Sequence, residues 1–255
     1  MRRIILLVLV TLLMGTDFCH RDTEPTEIEI VIVRAPEKNR NPYQTEYEQM
    51  LYPTVRINSP SGTGSGVIIA TTDAHRYTQI SIISAAHVVS DLNTVNIELY
   101  DSTILTGTVI ITDTIKDIVL IKAEINTDSK TKIYTAKLAD KDYIPYLFSP
   151  VWAVGCSLGL DPRPSSGHIT AINSNSWEIS APILPGNSGG PVYAKSQRSS
   201  PARSLRCSDD FGDAYEYEVI GIAVWVKVCQ GQLVTTMAGI VPIQEIHNFL
   251  KQVNK

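Results

Sequence analysis

Apolar positions in this chain come in short runs rich in Val and Ile, and polar or glycine-containing turns separate them. From about residue 51 such runs cover residues 66–70, 79–84, 95–100, 106–111, 118–123, 151–154, 168–172, 219–228 and 239–241. Runs of this length and β-branched content, bounded by turn residues, predict strands and an all-β sandwich or barrel. Only the C-terminal end reads as a helix. Pro242 stands at its first position, and Ile243, Ile246, Phe249 and Leu250 recur at a spacing that gathers them on one face. Residues 20–50 are a polar leader in which the alternating Ile28-Glu29-Ile30-Val31-Ile32-Val33 allows one edge strand between Pro25 and Pro36. Residues 195–217 carry Ser, Pro and Arg, then Asp209, Asp210 and Asp213, and read as an exposed insertion.

The N-terminus has a different character. Met1-Arg2-Arg3 precedes an apolar run from Ile4 to Met14, eleven residues long. That is short against the roughly 20 residues of a spanning helix. A basic start followed by a short apolar stretch predicts a signal peptide or N-terminal anchor over residues 1–19, and hence export to the cell envelope (periplasm) or secretion. Cys19 offers a lipidation site, although bulky Phe18 stands where a lipobox carries a small residue. Membrane contact is expected only through that anchor or lipid.

Composition narrows the function classes. The 255 residues hold 22 Lys+Arg against 26 Asp+Glu, a formal charge of −4, with 44% hydrophobic and 19% charged residues. Wholesale disorder and coiled coil are excluded, and no basic footprint for nucleic acid is present. The four cysteines are Cys19, Cys156, Cys207 and Cys229, and the five histidines do not cluster, so no zinc pattern and no metal or cofactor is expected. Cys207 and Cys229 flank an apolar strand and are either a disulfide, which an exported context permits, or two unpaired thiols. Cys156 lies in an apolar run and reads as a small core residue.

Three motifs carry chemistry. Ser84-Ala85-Ala86-His87-Val88-Val89 reads as a strand ending in a histidine. Asp117 stands at the mouth of the apolar Ile118-Val119-Leu120-Ile121, and Ser188 is embedded in Pro185-Gly186-Asn187-Ser188-Gly189-Gly190-Pro191. A serine hydroxyl is a weak nucleophile near neutral pH and needs an adjacent base, for which imidazole is suited. That base needs a carboxylate to fix its tautomer and stabilise the imidazolium. Glycines around the serine let backbone N–H groups converge on a developing oxyanion, with Gly186 and Ser188 the natural donors.

In order and content these motifs resemble the chymotrypsin-fold (trypsin-like) serine proteases, and among them the HtrA/Deg-type bacterial branch. Gly64-Ser65-Gly66-Val67-Ile68-Ile69 is similar to that branch's first-barrel entry. Asp101 to Lys122, with Asp113 four residues before Asp117, is similar to its D-x-x-x-D-[IL]-[AV]-[LV]-[IL]-K strand. Residues 154–160, with Ser166-Gly167-His168-Ile169, and the closing Gly239-Ile240-Val241-Pro242 resemble two further family stretches. The resemblance implies two six-stranded antiparallel β-barrels with a short C-terminal helix over residues 51–255. It places His87 and Asp117 on the first barrel, Ser188 on the second, and the active site between them. It further implies a serine endopeptidase acting on polypeptides without a cofactor. Members of that branch usually continue into a PDZ domain, whereas a protease domain alone is expected here. Cys156-Ser157 stand where the branch commonly has Asn-Pro, in a loop expected beside the oxyanion hole, which leaves the hole's preformation open.

By the same resemblance, Pro182, Ile183, Leu184, Val224, Trp225 and Val226 line the pocket for the substrate's P1 residue. Pro182 occupies the sixth position before Ser188, where trypsin-like enzymes hold a cation-binding Asp, so small or medium aliphatic P1 residues are expected. Two alternatives stand beside this reading. One is a catalytically silent protease-fold module that binds peptides. The other is an esterase, disfavoured because a strand-like Pro191-Val192-Tyr193 follows Ser188 where an α/β-hydrolase needs a helix.

Overall fold

In the computed structural model, residues 45–60, 62–197 and 215–253 are described. The signal or anchor segment, the leader strand at 28–33, Cys19 and Cys207 lie outside them. Six strands form the first barrel: β1 (Thr54–Ser59), β2 (Gly62–Asp73), β3 (Tyr77–Ser84), β4 (Thr94–Glu98), β5 (Ile104–Asp113) and β6 (Ile118–Asn126). They close in the order β1-β2-β3-β6-β5-β4, every pairing antiparallel. Side-chain alternation drives this. In β4, Val95 and Ile97 are buried while Thr94 and Asn96 face water.

β6 begins with four buried residues in a row, and both of its faces are covered. Val119 and Ile121 enter the first-barrel core, whereas Ile118 and Leu120 join Val67 and Ile83 in the core of the second. One face of β2, β3 and β6 is therefore the seam between the barrels, and the uninterrupted apolar run is its sequence signature.

A two-residue strand, β7 (Lys137–Leu138), leads into the second barrel and pairs parallel with Glu218 and Val219. That barrel comprises β8 (Pro150–Gly155), β9 (Arg163–Ile172), β10 (Trp177–Ile179), β11 (Pro191–Gln197), β12 (Tyr215–Cys229) and β13 (Gln232–Pro242). The order β11-β8-β9-β10-β13-β12 is closed by the β11–β12 pairing. Among the described residues, two α-helices accompany the barrels: the single turn α1 (Ala86–Val89) and α2 (Ile243–Val253). Ile243, Ile246 and Phe249 of α2 are buried and Leu250 partly so, the face that the sequence spacing predicts.

Three expectations need correction. The β3 strand ends at Ser84, and His87 sits on α1 rather than at a strand end. Pro242 closes β13, and the helix starts one residue later. The insertion is narrower than residues 195–217, because Lys195↔Tyr217, Ser196↔Glu216 and Gln197↔Tyr215 continue the β11–β12 hairpin. Polar side chains do not prevent strand pairing at a barrel's end, where one side of the ladder is solvated.

Candidate active site

Asp117 and His87 meet at the edge of the first barrel. Asp113 ends β5, and its Oδ1 accepts the N–H groups of Ile115 (3.1 Å) and Lys116 (3.0 Å), folding the turn that delivers Asp117. Asp117 itself has φ 56°, a left-handed conformation that Asp tolerates better than most residues. Its carboxylate holds His87 twice. Oδ1 accepts the His87 backbone N–H at 2.9 Å, and Oδ2 lies 2.7 Å from His87 Nδ1. Burial raises the Asp117 pKa, but the hydrogen bonds from the His87 ring and from backbone N–H groups outweigh it and leave the carboxyl below its ordinary value. The carboxylate side chain is 29% exposed and the imidazole 47%, so the ring opens to solvent while its partner is more sheltered.

Ser188 lies on the turn before β11 of the second barrel. Gly189 (φ 80°) makes the approach to the first barrel possible: a methyl there would collide with Ser84 Oγ and the Ser65 carbonyl and come within 2.7 Å of the Ala85 N. The residue after the serine thus packs on the two residues that precede α1, which brings Ser188 to the His87 turn. Gly186 (φ 98°) also adopts a backbone conformation that L side chains rarely reach.

The four carbonyls from Pro185 to Ser188 are engaged. Pro185 O accepts the Leu158 N–H at 2.7 Å, Asn187 O accepts the Gly190 N–H at 2.9 Å and Ser188 O accepts the Ser65 N–H at 2.8 Å. Gly186 O accepts the Ser65 hydroxyl at 2.7 Å. The N–H groups of Gly186 and Ser188 have no acceptor among the described residues. Backbone N–H groups without a protein acceptor are the kind of donor that an anion can use.

A cavity of about 370 Å³ opens beside Asp117, with Val224, Trp225 and Ile240 on its wall and the ion pair of Lys116 with Glu245 at its side. Of the six residues expected around P1, Val224 and Trp225 line this cavity. Pro182 and Leu184 are exposed and Val226 is half-buried, whereas Ile183 is 3% exposed and belongs to the second-barrel core. Cys156 is buried, and burial pushes its thiol up to about 11. Cys229 ends β12 exposed, and with Cys207 outside the described residues the choice between a Cys207–Cys229 bridge and two thiols falls outside them too.

Sequence reasoning passed over several polar residues that build the site. Ser65 and Ser84 are fully buried and Asn187 is 3% exposed. The Ser157 hydroxyl donates to Asn187 Oδ1 at 2.7 Å. A signal existed for Ser65: a hydroxyl between two glycines on an otherwise apolar strand has to find a buried partner.

Two closed barrels meeting at such a seam are the chymotrypsin-like arrangement. The family profile described as a trypsin-like peptidase domain matches residues 64–198, and the chain belongs to that family. Among curated proteins it is 30% identical over 145 residues to HhoB of Synechocystis sp., which covers 51% of this chain and 31% of that protein. It is 28% identical over 182 residues to the serine protease Do-like HtrA of Bacillus subtilis, covering 66% of this chain and 37% of that one. The chain therefore spans about a third of the length of these relatives. A crystal structure of the serine endoprotease from Yersinia pestis superposes with TM-score 0.58 at 18% identity, covering 81% of this chain and 64% of that one, which shows a shared fold.

Proposed function

We propose that the chain is an exported serine endopeptidase of the HtrA type, with Ser188 as nucleophile, His87 as general base and Asp117 as its orienting carboxylate. The observation that carries this reading is the double hold of Asp117 on His87, 2.9 Å to the backbone N–H and 2.7 Å to Nδ1. With Nδ1 donating to the carboxylate, Nε2 is the free acceptor that a serine hydroxyl needs.

The reaction then follows. Ser188 Oγ attacks the scissile carbonyl carbon while His87 Nε2 takes the hydroxyl proton. The carbonyl oxygen, now an oxyanion, is hydrogen-bonded by the Gly186 and Ser188 N–H groups. Collapse breaks the C–N bond, and His87 gives its proton to the leaving amine. A water, deprotonated by His87, attacks the acyl-enzyme, and the returning proton restores Ser188 as the carboxylic product leaves. No metal or cofactor enters these steps. Proline rather than a carboxylate stands at position 182, six residues before Ser188, and this supports small or medium aliphatic P1 residues over Arg and Lys.

Digestion of an unfolded protein substrate and of a P1-randomised peptide library by the purified chain tests this. Cleavage after Val, Ala, Thr or Ile, abolished in Ser188→Ala, is expected. Preference for Arg or Lys would refute the pocket assignment. Peptide binding without cleavage would leave a silent binding module in its place.

A further inference from the structure

We propose that Ser65, on the first barrel, is a positioning residue for the oxyanion turn on the second; this rests on the serine-peptidase reading above. Four hydrogen bonds meet at this one fully buried residue. Its N–H donates to Ser188 O at 2.8 Å. Its hydroxyl donates to Gly186 O at 2.7 Å and accepts the Cys156 N–H at 2.8 Å. Its carbonyl accepts the Ser84 hydroxyl at 2.7 Å, three residues before His87. The nucleophile turn, the segment carrying the base and the turn after β8 are therefore registered against a single strand residue.

The hydroxyl acts on the orientation of two peptides. A trans peptide points its C=O and N–H in opposite directions. Ser65 Oγ draws the Gly186 carbonyl into the protein, so that carbonyl is kept out of the cleft where the oxyanion forms. The Cys156 N–H fixed on the same hydroxyl anchors the turn whose Leu158 N–H holds Pro185 O, which turns the Gly186 N–H the other way. Leu158 occupies a left-handed φ of 55° within that turn. Strain of this kind persists where surrounding contacts over-determine it. On the far side, Ser157 Oγ steadies Asn187 at 2.7 Å. Ser65 Oγ thus supports the Gly186 side of the hole, while the Ser65 N–H holds the Ser188 carbonyl.

Ser65→Ala keeps both backbone bonds and removes only the hydroxyl. Displacing a catalytic group by about 1 Å costs about 100-fold. The expected result is a fall of about 10- to 100-fold in kcat on a tetrapeptide p-nitroanilide with P1 valine, at unchanged KM. The rate of labelling by a fluorophosphonate falls in parallel. Ser65→Cys, with a weak donor of similar size, recovers part of the loss. Ser157→Ala, on the half-buried turn, loosens the same unit from outside, and its effect combined with Ser65→Ala is less than multiplicative. A Ser65→Ala enzyme within twofold of wild type, or one altered in KM alone, overturns the proposal. So does equal impairment of Ser65→Cys and Ser65→Ala. A wild-type chain that neither labels nor cleaves sinks the peptidase reading instead, and a crystal structure then decides this point separately. The Gly186 carbonyl facing Ser65 supports it; that carbonyl turned into the cleft overturns it.

Discussion

Replacing Asp117 by asparagine changes one atom and removes one charge, and the geometry dictates where the change is felt. The backbone N–H of His87, 2.9 Å from Oδ1, can only donate, so the amide oxygen must stay there. The amide NH2 then takes the place of Oδ2, 2.7 Å from His87 Nδ1. Two donors would face each other unless Nδ1 gives up its proton. The proton moves to Nε2, and the base can no longer accept from Ser188. A second loss adds to the first: the charge-assisted bond to the developing imidazolium is worth about 1.5–3 kcal/mol. Together they place the fall in kcat at about 10³- to 10⁴-fold, or about 4–5.5 kcal/mol of transition-state stabilisation. Initial rates on a peptide p-nitroanilide near pH 8, with thermal unfolding as a control for folding, measure it. A loss below about tenfold in a folded variant would refute the claim that this carboxylate sets the tautomer. The substitution also has a pH signature. Because the folded-state carboxyl titrates below its ordinary value, its contribution to stability is full above the ordinary carboxylate range and is lost as pH falls through the lower folded-state value. Wild type and Asp117→Asn should therefore converge in stability in acid.

Two further outcomes follow from the packing. Gly189→Ala puts a methyl into Ser84 Oγ and the Ser65 carbonyl at a φ of 80°, and strain plus overpacking should cost about 2–5 kcal/mol in a urea titration; a cost under about 1 kcal/mol would mean that the barrels do not meet as described. Cys156, with its thiol pushed up to about 11 from 9.0 by burial, should resist iodoacetamide at pH 8 until the protein is unfolded. Its folded form holds the proton longer than the unfolded chain, so its contribution to stability is full below pH 9 and declines as pH rises toward 11, a slope that Cys156→Ala should lack.

The architecture was legible where hydrophobic pattern and local chemistry agree. Ile118–Ile121 is apolar without interruption because both of its faces are buried at the seam between barrels, and α2 shows its buried stripe at helical spacing. His87, Asp117 and Ser188 are singled out by their order and by the family resemblance together, since a lone histidine or aspartate at a strand end is more often structural. What escaped was set by tertiary contact. β1 carries only Val55 and Ile57 on its buried face, β10 is three residues long, and both are strands because a barrel needs them to close. The helical turn α1 is held in part by Asp117 bonding the His87 N–H from thirty residues away. Ser65 reads in sequence only as part of the first-barrel entry, and its partners at Gly186 and Cys156 lie more than ninety residues downstream. Ile183, read as a pocket residue, is 3% exposed and taken up by the second-barrel core. Position relative to the nucleophile does not say to which side a side chain turns.

The central claim is that Ser188 is an activated nucleophile beside a formed oxyanion hole. Incubating the purified full chain and Ser188→Ala with a fluorophosphonate, read by intact mass and peptide mapping, tests it most directly, because such a reagent needs both the activated hydroxyl and the two N–H donors. The account predicts one adduct per chain, located on Ser188 and absent from the variant. An unlabelled wild-type chain, or an adduct that persists in Ser188→Ala, would contradict it.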